Sequence, residues 1–295
     1  MSPGTVETNV DTDCSKPLAV ITGAGSGIGL AMAHEFSRTH RLLIADVAEE
    51  RLSAAERELG RTASHPSAVI CDVTQPRHTE RLARRAIELG PVSVLIHAAG
   101  ISPSMGDAAT VIKINYAGTA NVLTAFEGAM GADSVTLCLA SMSAYRRGLD
   151  RYEDLLRGPF SPDIVQGLIE ASLGQSSAAY ALSKRAVMRL VEWLARRWAA
   201  RGARILSISP GVIDTPMGRR EIGGSGAGSA PVLLEHAAIA RLGTPEEIAR
   251  LAAFLAGPQS SFMTGCDVLV DGGALAGLQC HAPREVCERW DHPWR

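Results

Sequence analysis

The chain is poor in aromatic residues, at 4% of 295 positions, and carries a formal net charge of only −2. So balanced a charge gives no electrostatic reason to expect a nucleic acid or a membrane surface as partner. No apolar run reaches the roughly 18–20 residues that span a bilayer. Residues 1–16 are polar and acidic, with no basic stretch leading into an apolar core. They read as a flexible extension rather than a secretion signal. Cysteines at 14, 71, 138, 266, 280 and 287 form no Cys-x-x-Cys pair, and a chain of this size needs no disulfide staples. Cys280, His281 and Cys287 match no common zinc spacing, and the eight histidines lack ligand-like pairing. A reduced, metal-free, cytoplasmic protein is the expectation from these absences.

Hydrophobic residues make up 46% of the chain and charged residues 20%, enough for a sizeable core beneath a soluble surface. Short β-branched or apolar runs at 18–21, 41–46, 67–71, 92–97, 134–140, 204–209 and 267–270 read as strands. Helical stretches at 27–38, 48–59, 76–89, 108–130, 176–201 and 245–256 alternate with them. Such alternation predicts an α/β fold: one doubly wound domain over 17–273, with a parallel sheet, right-handed crossovers and helices on both faces. Two segments interrupt the rhythm. Residues 144–175 hold Pro159 and Pro162 between two short helical patterns, and 217–241 contain the run from Gly223 to Ser229, too glycine-rich to stay rigid. Insertions of this kind form lids or binding walls, so both are expected over a substrate site. Residues 274–295 follow as a C-terminal tail.

Leu18–Ile21 leads directly into Thr22-Gly23-Ala24-Gly25-Ser26-Gly27-Ile28-Gly29, and a helix follows. In that context Gly23 permits a tight turn, Gly27 lets the backbone approach a pyrophosphate, and Gly29 allows close helix packing. The helix N-terminus offers unpaired N–H groups to the anion. Asp46 ends the second strand, 17 residues beyond Gly29, where a carboxylate can accept from both ribose hydroxyls of an adenosine. Its charge repels a 2′-phosphate, and no Arg occupies the turn or directly follows Asp46, so the pattern favours NAD over NADP. Far downstream, Tyr180 and Lys184 are four apart on one helix face. A lysine ammonium beside a phenol favours phenolate, bringing a group that ionises near pH ~10 toward acid–base use. One half of the chain is suited to hold a dinucleotide and the other to move a proton, which points to an oxidoreductase.

From Leu18 to Gly273 these residues resemble the short-chain dehydrogenase/reductase superfamily. Thr22–Gly29 is similar to its glycine turn, Tyr180–Lys184 to its Tyr-x-x-x-Lys motif, and Cys71-Asp72-Val73 to the acidic motif that meets adenine. His97-Ala98-Ala99-Gly100 resembles its Asn-Ala-Ala-Gly, with His in place of Asn, and Asp271-Gly272-Gly273 its usual ending. Asn115 matches the helix asparagine of the family's proton relay. Pro210–Pro216 resembles the segment over nicotinamide, with Thr215 near the carboxamide. The resemblance implies a Rossmann-type fold and a catalytic set of Asn115, Ser141, Tyr180 and Lys184. The implied cofactor-binding set is Gly23, Ser26, Gly27, Ile28, Gly29, Asp46, Val47, Cys71, Asp72, Val73, Ala98, Ala99, Gly100, Tyr180, Lys184, Pro210, Gly211, Ile213 and Thr215. No metal is implied. Both Ser141 and Ser143 are candidates for the catalytic serine; the family pattern aligns with Ser141. Tyr180 follows 39 residues after Ser141, a layout similar to the bacterial 3α-hydroxysteroid dehydrogenase/carbonyl reductase branch.

By this resemblance, Tyr180 exchanges a proton with an alcohol or carbonyl while hydride passes to or from nicotinamide. Lys184 assists, Ser141 holds the substrate oxygen, and Asn115 positions water leading from Lys184. NAD(H)-dependent interconversion of a secondary alcohol and a ketone or aldehyde of a small molecule follows, in a homo-oligomer (dimer or tetramer). An epimerase, dehydratase or cyclase on the same scaffold is the alternative, and a non-catalytic NAD-sensing protein a further one. His97 is expected to be a hydrogen-bonded structural residue. Arg146, Arg147, Arg151 and Arg157 are candidates to recognise a carboxylate or phosphate, and Trp290 and Trp294 suggest an anchored tail.

Overall fold

Seven strands, β1 (Leu18–Thr22), β2 (Arg41–Asp46), β3 (Ser67–Ile70), β4 (Val92–His97), β5 (Met130–Leu139), β6 (Arg204–Pro210) and β7 (Asp267–Val270), form one sheet in the order β3-β2-β1-β4-β5-β6-β7. All neighbouring pairs run parallel. The computed structural model describes residues 16–61, 65–223 and 230–292. The expected N-terminal extension up to residue 15, the glycine-rich stretch 224–229 and Trp294 lie outside the described residues.

Helices α1 (Gly27–Ser37), α2 (Glu49–Leu59), α3 (Pro76–Leu89), α4 (Ala108–Ile112), α5 (Gly118–Phe126), α6 (Pro162–Ala171), α7 (Ser176–Ala199), α8 (Pro216–Gly223), α9 (Ala230–His236), α10 (Pro245–Ala256), α11 (Ala274–His281) and α12 (Arg284–Asp291) complete the chain. Period-2 side-chain alternation sends successive residues of a strand to opposite faces. In β1, Leu18 and Val20 belong to the apolar cluster that takes in α3, α5 and α7, whereas Ala19 and Ile21 belong to the one that takes in α1, α2 and α10. Every residue of β1 is therefore buried, as a strand covered on both faces requires.

The helix expected over 108–130 is interrupted. Residues Lys113–Ala117 form a π-helical turn between α4 and α5, and Thr119 Oγ1 donates to Asn115 O at 2.6 Å. Such turns are frequent at functional sites. β5 begins four residues before its expected start because Met130 pairs with Val92 ahead of a register shift.

The insertion at 144–175 lies on α4 and α7. Leu149, Leu156, Ile164 and Leu168 sink into the core, and Phe160 tilts against Tyr116 with centroids 5.7 Å apart. Glu153 accepts from Arg185 Nε at 2.7 Å and Arg189 Nε at 2.6 Å, fastening the insertion to α7. The tail folds back as α11 and α12. Leu275, Leu278 and Trp290 pack with Met142 and Leu233 into a third, smaller apolar cluster. Asp271 starts α11 by accepting from the N–H groups of Gly273 and Leu275. The five described cysteines are free, and no group of three metal-capable side chains assembles among the described residues. No described helix is long and apolar enough to cross a membrane.

Candidate active site

The C-terminal ends of β1, β2, β4, β5 and β6 border a cleft of about 1080 Å³. That exceeds the roughly 300–1,000 Å³ typical of a pocket for one small ligand. All residues of the implied cofactor-binding set border it, as do Ser141 and Ser143; Asn115 lies behind its wall. At one end the glycine turn carries Gly23 at φ +70°, where an added Cβ would come within 2.6 Å of Ala99 N. Only glycine fits there without moving the end of β4. Ser26 precedes α1 without a side-chain cap, leaving the first N–H groups of this eleven-residue helix directed at the cleft edge. Asp46 is buried at the tip of β2. Its Oδ2 accepts from Gly25 N at 3.1 Å, and its Oδ1 from Ala48 N at 2.9 Å and Arg51 Nη2 at 3.0 Å. Arg51 also borders the cleft. Sequence spacing looked for a basic residue next to Asp46 and missed this one, which reaches back from the first turn of α2. These features fit a dinucleotide: a glycine cradle, a helix N-terminus and a carboxylate in one line.

At the other end, Tyr180 is half-buried and opens onto the cleft. Ser141, which acts on the Tyr180 hydroxyl, has an Oγ that accepts from Ser143 N at 3.2 Å. Ser141 is thus the serine that meets the phenol. Burial pushes the Tyr180 phenol above its ordinary value, Ser141 and the Arg146 charge pull it down, and Glu221 pushes it up. Lys184 is buried, with Nζ donating to Leu139 O at 2.8 Å and lying 5.8 Å from the Tyr180 ring centroid. Burial lowers its ammonium to about 8. Desolvation is thus the largest influence on both groups.

Asn115 clamps the segment after β4, accepting from Ile101 N at 2.9 Å and donating to Ile101 O at 3.0 Å and Ser183 Oγ at 3.4 Å. A Cβ on Gly100 would sit 3.0 Å from Asn115 Oδ1 and 3.4 Å from Lys184 Nζ. Asn115 and Lys184 therefore flank Gly100 from two sides. His97 points to the same sheet face, its Nδ1 and Thr22 Oγ1 hydrogen-bonded at 2.8 Å. Burial, aided by the Lys184 charge, drops the imidazole to about 3, so it stays neutral. Its Nε2 has no partner among the described residues.

The four arginines of the insertion part company. Arg147, Arg151 and Arg157 are exposed, while Arg146 is buried and borders the cleft with Tyr180. Sequence reasoning passed over Glu221 on α8, whose Oε1 accepts from Ser104 Oγ at 2.6 Å and so joins two sides of the cleft mouth. No motif marks that pair, since its members are distant in sequence.

Two family models match the chain: short chain dehydrogenase over residues 17–137, and Enoyl-(Acyl carrier protein) reductase over 167–274. A short-chain dehydrogenase/reductase, bsc3 of Alternaria brassicicola, is 33% identical, with 90% of this chain and 97% of that protein covered. The chain belongs to the short-chain dehydrogenase/reductase family. It is thus an enzyme of an oxidoreductase family that binds a nicotinamide cofactor. Among solved structures, the 3-alpha-hydroxysteroid dehydrogenase from Pseudomonas sp. B-0831 complexed with NADH superposes with TM-score 0.74 at 26% identity, covering 90% of this chain and 100% of that one. BdcA in complex with NADPH superposes with TM-score 0.67 at 25% identity, covering 87% and 93%. Neither family model spans 138–166, where the insertion of this dehydrogenase/reductase begins.

Proposed function

We propose that this short-chain dehydrogenase/reductase is an NAD(H)-dependent oxidoreductase interconverting a secondary alcohol and the corresponding ketone of a small molecule. The observation that carries the reading is the meeting of Ser141, Tyr180 and Lys184 at one end of a cleft whose other end holds the glycine turn and Asp46. A bound nicotinamide supplies the hydride acceptor or donor. Tyr180 takes the hydroxyl proton in oxidation and returns it in reduction. Ser141 holds the substrate oxygen beside the phenol, and Lys184 steadies the phenolate when the proton leaves. Positioned acid–base help of this kind is worth about 10²–10⁴ in rate. Holding the reacting atoms in register supplies much of the remainder. Asn115 keeps Ile101 and Gly100 against Lys184, supporting a path from its ammonium toward water.

Support for NAD over NADP comes from the buried Asp46 carboxylate facing the adenosine end. Arg51 shares that carboxylate but is half-exposed, where an ion pair offsets little charge. The resemblance further suggests a cytoplasmic homo-oligomer (dimer or tetramer); sedimentation of the purified protein tests the assembly. The function is tested by absorbance of reduced nicotinamide during incubation with a panel of alcohols and ketones. Turnover lost in Tyr180→Phe with coenzyme binding retained is the expected result. Full turnover in that variant, or product formed with no net redox change, would refute the proposal.

A further inference from the structure

Two consecutive residues of α7 grip the chain on either side of Ser141. Lys184 Nζ donates to Leu139 O at 2.8 Å, two residues before the serine, and Arg185 Nη1 donates to Ala144 O at 3.0 Å, three residues after it. Ala144 is in turn bound to the serine. Its N–H donates to Ser141 O at 2.9 Å, and Ser143 N donates to Ser141 Oγ at 3.2 Å, within the 3₁₀ turn Met142–Tyr145. Ala144 is buried, so its carbonyl depends on a protein donor rather than on water.

The guanidinium of Arg185 is held in one orientation. Its Nε donates to Glu153 Oε1 at 2.7 Å and its Nη2 to Asp150 Oδ1 at 3.1 Å, so every nitrogen of the planar fork is engaged. The two carboxylates do not count equally. Asp150 is 69% exposed, where an ion pair contributes little. Glu153 is 26% exposed and is itself clasped by Arg189 Nε at 2.6 Å and Nη2 at 2.9 Å. Both carboxylates belong to the insertion, within the 138–166 stretch that neither family model spans. On its far side the turn is steadied by Tyr145 Oη, which donates to Asp267 Oδ2 on β7 at 2.8 Å. The bond to Ala144 O, by contrast, comes from the helix that carries Tyr180.

We infer that Arg185 is a positioning residue: oriented by Glu153 of the insertion, it sets the place of Ser141 relative to Tyr180. This rests on the proposed reaction, in which Ser141 holds the substrate oxygen beside the phenol. Arg185 lies outside the lining of the cleft and acts through the serine turn. The insertion thereby has a role besides walling the cleft, because its Glu153 braces the serine turn against α7.

The test compares Arg185→Met and Ser141→Ala, singly and together, in the full chain with NADH and the panel ketone that the wild type reduces fastest. Small misplacements of a reacting group are costly, so Arg185→Met should lower kcat about tenfold or more while NADH affinity stays within about twofold. In the Ser141→Ala background the same substitution should lower kcat less than about twofold, because the group it positions is gone. Arg185→Lys keeps the charge but cannot make all three bonds, and should recover part of the loss. Glu153→Gln should give a smaller loss that also vanishes in the Ser141→Ala background, and it replaces Arg185→Met should that variant not fold. A second readout needs no turnover. Ser141 favours ionisation of the Tyr180 phenol. Followed by phenolate absorbance against Tyr180→Phe, that phenol should titrate at higher pH in Arg185→Met and in Ser141→Ala, with no further shift in the double variant. Equal losses from Arg185→Met in both backgrounds, or a kcat and titration left unchanged, overturn the inference while leaving the oxidoreductase reading intact. A shared titration shift in a protein that turns over no alcohol or carbonyl supports the positioning role and counts against the proposed reaction.

Discussion

Replacing Asp46 by Ser tests how coenzyme choice is built. In the wild type its carboxylate is buried and takes hydrogen bonds from Gly25 N, Ala48 N and Arg51. A 2′-phosphate placed about 4 Å away would meet a repulsion of about 4 kcal/mol per charge pair at an effective dielectric constant near 20. Arg51 opposes this, but its side chain is 51% exposed, and pairs of that kind contribute about 0–1 kcal/mol. The balance predicts a preference for NAD of roughly 10²–10³. Asp46→Ser removes the repulsion and releases Arg51 toward a phosphate, so the NADP-to-NAD ratio of kcat/KM should rise by roughly the same factor. The absolute rate with NAD should also fall, because the Gly25 turn and the start of α2 lose an acceptor. Steady-state rates with both coenzymes, and fluorescence titrations with NADH and NADPH, measure the two effects separately. A ratio that moves less than about threefold would refute the electrostatic reasoning. So would an Arg51→Ala variant that uses NADP better than the wild type.

Lys184 gives a pH signature in stability. Its folded value of about 8 lies below its ordinary value of 10.5, so the unfolded chain binds more protons between those limits and stability rises with pH there. Buried Cys71 and Cys138, raised to about 11 and about 12, act in the opposite sense above their ordinary value of 9. Denaturation of the wild type and Lys184→Met at matched pH cancels the Cys71 contribution and most of that of Cys138, on which Lys184 itself acts, and the wild type should gain about 3 kcal/mol relative to the variant from pH 8 to 10.5; a flat difference contradicts the buried ammonium. Ser141→Ala should lower kcat by about 10²-fold or more, and Ser143→Ala by less than tenfold, since Ser141 is the serine that acts on the phenol; the reverse order would reassign the serine. Gly100→Ala places a methyl group 3.0 Å from Asn115 Oδ1. It should cut kcat about tenfold or more while the protein remains folded by circular dichroism, because small misplacements of a catalytic group are costly; a wild-type kcat would show that the contact relaxes freely.

Strand identity followed from local patterns because β1, β2 and β4 are short, apolar and bounded by turns. Their burial is decided by composition alone. The helix at 108–130 was harder, because a continuous apolar periodicity hides a π-helical turn. Within it the Gly118 N–H bonds the Lys113 carbonyl and the Thr119 hydroxyl that of Asn115, contacts that no periodicity marks. The tail was harder still. Its tryptophans suggest an anchored tail, but nothing local says what Trp290 packs against, since its neighbours are charged and its contacts, Met142 and Leu233 among them, are brought to it only by the folded domain.

The same distinction separates the two halves of the candidate site. Glycine turn, Asp46 and Tyr180–Lys184 were legible because their chemistry is carried by neighbours along the chain, at fixed offsets on a turn or a helix face. Arg51 and Glu221 were not, and Arg146 could not be singled out from its fellow candidates, because their effect depends on where the backbone places a charge relative to water. Four arginines in one insertion look equivalent on paper; folding buries one beside Tyr180 and leaves Arg147, Arg151 and Arg157 to solvent. The electrostatics of the phenol follow from that sorting. Desolvation raises Tyr180 while Arg146 and Glu221 act on it with opposite sign, so the cleft wall as well as the Tyr-x-x-x-Lys motif sets how readily the proton leaves. A motif therefore identifies candidate reacting groups, while Arg146 of the insertion and Glu221 of α8 act on the acidity of the phenol from outside it.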